Sequence, residues 1–106
     1  MFARRVYLHL KPNSVAEFTQ KLEKEIIPLL RKQKGFQDEI SFVGHGGTEA
    51  FGISLWDKAE NAEAYNRAAY PEVAKILATV VEGPAQVETF EVANSTLHKI
   101  AAAVTA

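Results

Sequence analysis

Apolar and polar residues alternate from the first residues of the chain. In Phe2–Leu10, Val6, Leu8 and Leu10 share one face and Arg5, Tyr7 and His9 the other, the two-residue period of a half-buried strand. Lys11-Pro12-Asn13 breaks that pattern. Ser14-Val15-Ala16-Glu17 then has the form of a capping box, with Ser14 as N-cap and Glu17 reaching back. Val15, Phe18, Leu22, Ile26, Leu29 and Leu30 recur at helical spacing and predict an amphipathic helix with one stripe for a sheet. Pro28 falls inside it and is expected to kink it or end its regular part; Gly35 stops it.

Residues 36–44 alternate again. Phe36, Asp38, Ile40 and Phe42 are expected on one face, and Gln37, Glu39, Ser41 and Val43 on the other. His45-Gly46-Gly47-Thr48 reads as a turn, and residues 49–56 as the return strand of a hairpin. That strand has unlike faces: Phe51, Ile53 and Leu55 on one, and the small row Ala50, Gly52, Ser54 ending in Trp56 on the other. Asp57 begins N-cap logic for a helix through Tyr65 and Ala69. Pro71 suits the first turn of a second helical segment that turns Val73, Ile76, Leu77 and Val80 inward. Residues 85–93 make a last strand, with Phe90 and Val92 on one face and Val87 and Thr89 on the other. A short tail helix is expected from Asn94 or Ser95 onward, its stripe being Leu97, Ile100, Ala101 and Val104.

The order β-α-β-β-α-β predicts an α+β domain over residues 1–106, with residues 94–106 as its tail helix. With right-handed crossovers it gives a four-stranded antiparallel sheet of the ferredoxin-like type, with helices on one face. The other face keeps apolar side chains, so a homodimer through this open face is expected. Strands one and three are read as adjacent and parallel, so that His9 and Trp56, near their C-terminal ends, meet at one sheet edge.

Composition changes this picture little. The chain has 106 residues, enough for one domain, with 12 basic and 13 acidic side chains and a net charge of −1. There is no basic footprint for nucleic acid and no cysteine for disulfide or thiolate chemistry. Phe2-Ala3-Arg4-Arg5 is followed by an apolar run too short for a signal peptide, and no stretch approaches a membrane span. The expectation is a cytoplasmic protein with no nucleic-acid or membrane partner.

Chemistry is sparse. His9 is the candidate base, since an imidazole titrates near neutral pH and accepts a proton from a phenol-type substrate. Tyr7, Ser54, Trp56, Tyr65 and Tyr70 are the candidate substrate-binding residues, aromatic walls with a small-residue floor. His45 sits in a glycine turn and His98 on the tail. The three histidines share no metal-ligand spacing, so no metal site is assigned. No nucleophile elbow or phosphate loop is present.

Gly35-Phe36, Ile53-Ser54-Leu55-Trp56-Asp57 and Glu63-Ala64-Tyr65 carry a resemblance over about residues 3–93. There the chain is similar to the dimeric α+β barrel proteins of the antibiotic biosynthesis monooxygenase superfamily. The haem-degrading branch places a tryptophan where Tyr65 stands, a haem-ligating histidine where Lys75 aligns, and an asparagine on the first strand, which has none here. The resemblance therefore implies the cofactor-free branch, whose aromatic and polar groups line a small cavity. Trp56, Tyr65 and Tyr70 match that role; the asparagine of such members corresponds only loosely to Asn61 or Asn66. The function expected is a cofactor-independent monooxygenase acting on a small aromatic or quinol-type molecule, with no cofactor. Two alternatives stand beside it: a non-catalytic small-molecule-binding or regulatory module, and a structural dimer that fills its cavity with Trp56 and Tyr65.

Overall fold

A computed structural model describes residues 1–100. Its strands are β1 (Phe2–Leu10), β2 (Phe36–Val43), β3 (Glu49–Trp56) and β4 (Val81–Glu91). They form one antiparallel sheet in the order β2-β3-β1-β4. Helices α1 (Val15–Lys21) and α2 (Ile27–Arg31), joined by a π-helical turn over Leu22–Ile26, connect β1 to β2. Helices α3 (Ala59–Ala68) and α4 (Tyr70–Leu77) connect β3 to β4. This is the expected ferredoxin-like α+β fold.

The faces follow from side-chain size. Phe18, Ile26 and Leu30 from the first helical layer and Ala62, Tyr65, Val73 and Leu77 from the second bury against Leu8, Leu10, Ala50 and Trp56. The small row of β3 therefore faces the helices, and Phe51, Ile53 and Leu55 face away. Helices bring their own bulk, so the strand beneath them keeps small side chains except at Trp56, which is 0% exposed. The core continues to Val80, after which Leu10 and Lys11 tie the end of β1 to the neighbouring loops through Leu10 N–H to Thr48 O and Lys11 N–H to Val80 O.

Several expectations change. β1 and β3 are antiparallel, with Phe2 opposite Trp56 and His9 opposite Glu49, so His9 and Trp56 lie at opposite ends of the pair. A connection that returns through a helix and a hairpin delivers β3 running against β1, and parallel neighbours do not arise. A register shift between Phe36 and Asp38 moves Phe36 to the helix side, where its ring centroid lies 5.6 Å from that of Trp56. Ser14 starts α1 without a side-chain cap bond, its hydroxyl turning to Pro12 O at 3.5 Å. Asp57 is not the N-cap of α3 either. Lys58 takes that place, and the Asp57 carboxylate accepts from Asn61 Nδ2 at 2.8 Å. Pro28 falls in the first turn of α2, directly after the π-helical turn, which absorbs the disturbance expected from it.

The expected tail helix is absent from residues 92–100; its remainder, including Ala101 and Val104, lies outside the described residues. Ser95 Oγ accepts from the backbone N–H groups of Leu97 at 2.9 Å and His98 at 3.3 Å, closing a turn where a helix start was expected. His98 pairs with Asp38 on β2 of the same chain. Among the described residues no helix is long and apolar enough to cross a membrane.

Candidate functional site

The helix side of the sheet is built in cross-strand rows. Phe36, Trp56 and Phe2 make the first, with the Phe36 ring edge-on to Trp56. Glu39, Ser54 and Arg4 make the second; Ser41, Gly52 and Val6 the third. Small residues at Ser54 and Gly52 leave the centre of these two rows low. Helical residues Phe18, Leu22, Ile26, Leu30, Tyr65, Val73 and Leu77 roof that hollow without filling it. The result is a cavity of about 60 Å³, partly open to solvent, with Tyr70 also on its wall. Water occupies roughly 10–15 Å³ on this measure, so the space takes a few water molecules. Two larger depressions, over Pro12–Thr48 and Leu8–Val87, hold about 470 and 460 Å³, but no charged side chain lines either. The cavity with charged side chains in its lining is the smallest of the three.

Its walls are apolar apart from a few placed groups. Glu39 enters from β2 and accepts a hydrogen bond from the Ser41 hydroxyl. Burial pushes its carboxyl above the ordinary value, and the Ser41 bond opposes that in part. A Cβ built on Gly52 would lie 3.1 Å from Glu39 Oε1, so the missing side chain gives the carboxylate its room.

Arg4 enters from β1 and is 4% exposed. Its guanidinium donates to Asn66 Oδ1 at 2.8 Å and lies 4.2 Å from the Tyr70 ring centroid and 5.4 Å from that of Tyr65. Among the described residues, neither Arg4 nor Glu39 forms an ion pair. The Tyr65 phenol is pushed up to about 12, mainly by burial; Arg4 pulls it down, while Tyr70 and Glu39 raise it further.

The expected site residues divide between the two faces. Ser54, Tyr65 and Tyr70 line the cavity. Trp56 stands behind it as core: its indole N–H donates to Ser54 Oγ at 2.8 Å, and its ring lies 5.0 Å from Tyr65. Tyr7 and His9 lie on the opposite sheet face, edge to face at 5.5 Å, with the Tyr7 hydroxyl donating to the Glu49 carboxylate. That bond raises the Tyr7 phenol above its usual value. The sheet separates His9 from the cavity.

Arg4 and Glu39 are the functional candidates that sequence reasoning missed. Their signal was parity: Arg4 is in phase with Val6 and Leu8, and Glu39 is out of phase with Ile40 and Phe42.

A ferredoxin-like sheet with a small, mostly apolar hollow under its helices defines the class of protein as a small α+β sandwich. Solved structures share the whole architecture. A protein of unknown function from Nitrosomonas europaea superposes with a TM-score of 0.75 at 18% identity, covering 92% of this chain and 94% of its own. A monooxygenase of Streptomyces coelicolor, the product of ActVA-Orf6, solved with nanaomycin D, gives 0.76 at 14% identity and 92% of both chains. A Bordetella bronchiseptica protein provisionally named an antibiotic biosynthesis monooxygenase gives 0.75 at 14%, covering 88% of this chain and 97% of its own. The chain thus has the fold of antibiotic biosynthesis monooxygenase structures. No sequence-family profile and no curated protein matches it.

Proposed function

We propose that the chain is a cofactor-independent monooxygenase acting on a small aromatic or quinol-type molecule bound between sheet and helices. The observation that carries this reading is Glu39, a carboxylate with a raised proton affinity in an otherwise apolar cavity beside Tyr65 and Tyr70. A carboxylate moved toward neutral pH is a better match to a phenolic or activated C–H proton than an ordinary one. Glu39 takes the proton, and the electron-rich anion so formed combines with oxygen. The resulting peroxide anion takes that proton back from Glu39, and the hydroperoxide loses water with the hydrogen of the same carbon, leaving one oxygen atom there as a carbonyl. The apolar walls keep bulk water from that anion. A ring enters by displacing water from the hollow and turning Tyr70, the half-buried first residue of α4 on its wall. The S. coelicolor neighbour, solved with a small molecule bound, supports a ligand site in this fold. In this reading the open sheet face forms a homodimer.

The test is oxygen consumption with a panel of dihydroxyaromatics in the presence of a metal chelator. Uptake is expected, with Glu39→Gln slowing it by about 10²-fold or more. Rate loss in His9→Ala but not in Glu39→Gln returns the base to His9. Tight binding of panel members with no uptake overturns the oxygenase reading in favour of a binding module.

A further inference from the structure

Arg4 has more hydrogen-bonding capacity than its surroundings use. A guanidinium carries five N–H donors in a planar fork suited to a carboxylate. In this chain its one side-chain hydrogen-bond partner among the described residues is the amide oxygen of Asn66, a neutral group. The stack on Tyr70 offers attraction through the ring face but accepts no hydrogen bond in the guanidinium plane. Among the described residues no fully buried side-chain nitrogen lacks a partner, so the spare N–H groups of Arg4 keep some accessible surface from which to meet a ligand. No carboxylate pairs with Arg4 here among the described residues. The nearest acid in the same row is Glu39, two strands away across Ser54. Adjacent strands are roughly 4.8 Å apart, so the two backbones stand about 10 Å apart with the low floor of Ser54 and Gly52 between them.

That spacing defines a ligand. One end of the hollow offers a cation with free donors, the other an acceptor carboxyl, and the middle offers flat apolar walls. We infer that Arg4 anchors an anion and that the cavity takes a single-ring hydroxyaromatic acid, its carboxylate on the Arg4 guanidinium and its hydroxyl directed to Glu39. This deepens the oxygenase reading by naming the substrate class of the same site. Arg4 then fixes which ring position faces Glu39, and Asn66 is a positioning residue that holds the guanidinium from the surface side.

Binding under argon tests this without any turnover. The 2-, 3- and 4-hydroxybenzoates and the matching hydroxybenzamides, neutral isosteres, are titrated calorimetrically into the wild-type chain and into Arg4→Met, Arg4→Lys and Asn66→Ala, each checked for folding by circular dichroism. At least one acid is expected to bind about tenfold or more tightly than its amide. Arg4→Met should erase that preference and Arg4→Lys keep part of it. The Asn66→Ala chain, altered at an exposed position, should reduce it severalfold. Equal affinity for acid and amide, a preference that survives both Arg4→Met and Asn66→Ala, or no binding by any of the acids overturns the proposal. The two readings fail separately: turnover of neutral dihydroxyaromatics without acid preference leaves the oxygenase and removes the anchor, and acid preference without oxygen uptake does the reverse.

Discussion

At the scale of single residues, the cavity's chemistry depends on how burial treats two acids. Glu39 holds its proton more tightly in the folded chain than in the unfolded one. Its stabilising contribution is therefore complete below the ordinary carboxylate range and is lost as pH rises toward its folded value. Glu39→Gln removes the ionising group and keeps the shape. The melting temperature of the variant is expected to match the wild type near about pH 4 and exceed it by about pH 8. A variant that melts lower at the alkaline end would show that the Ser41 hydrogen bond to the ionised carboxylate outweighs the cost of its burial. Tyr65 is the complementary case. With its phenol at about 12, it stays protonated throughout the pH range of such assays. Oxygen uptake should therefore show one rising limb with pH, belonging to Glu39, and Tyr65→Phe should leave its midpoint within a few tenths of a unit while changing the rate. A shift of that midpoint by a full unit would make Tyr65 the titrating group.

At the scale of elements, the junction from α2 into β2 and the exit from β3 into α3 are tied at one glycine. Gly35 has φ +81°, and its carbonyl accepts from Asp57 N–H at 2.9 Å. A Cβ at Gly35 would fall 2.2 Å from Asp57 Oδ1 and 2.5 Å from Asn61 Nδ2. Gly35→Ala therefore combines left-handed strain with a clash, expected to cost about 1–3 kcal/mol. The melting temperature should fall by roughly 4–8 °C for each kcal/mol in a domain of this size. An unchanged melting temperature would mean that the turn relaxes freely. The period-two pattern made the strands and their two faces legible, and helical spacing made the apolar stripes legible. Periodicity says which residues share a face but not which face a helix covers. The small row of β3 was therefore visible in the sequence and its direction was not. The bulge that returns Phe36 to Trp56 also has no signature in alternation, because one extra residue looks like ordinary alternation read from either end. Arg4 and Glu39 were passed over because charge on a strand reads as solvent-facing by default. Both positions were in phase with the buried side.

At the scale of the whole molecule, the sheet's second face sets the expected assembly. Its rows run Ile40, Ile53, Arg5, Glu88 and Phe42, Phe51, Tyr7, Gln86. Ile40, Phe42 and Phe90 are 44%, 42% and 49% exposed, and the Phe42 and Phe51 rings stack at 4.7 Å. Arg5 pairs with Glu88 at 2.7 Å and covers Phe51 with its guanidinium at 4.7 Å, so one charge on this face is already neutralised within the chain. The tail reaches this face at Asp38 through His98, beside the row that contains Leu55 and Ala3. The Ile40 and Phe42 rows lie further along the sheet. A two-fold interface of ordinary size takes about 800 Å² from each partner, a modest part of the chain's 6900 Å² surface. Wild-type chain at tens of micromolar is therefore expected to sediment at twice its 11.7 kDa mass. Phe42→Lys sets two like charges near one another across a two-fold axis and removes an apolar contact, so it should shift the species to monomer while the helix-side cavity keeps its ligand affinity within about threefold. A wild-type chain that sediments as a monomer removes the dimer. A Phe42→Lys monomer that loses the ligand as well would mean that the partner subunit helps to build the cavity, whose lining residues in the single chain all come from its own sheet and helices.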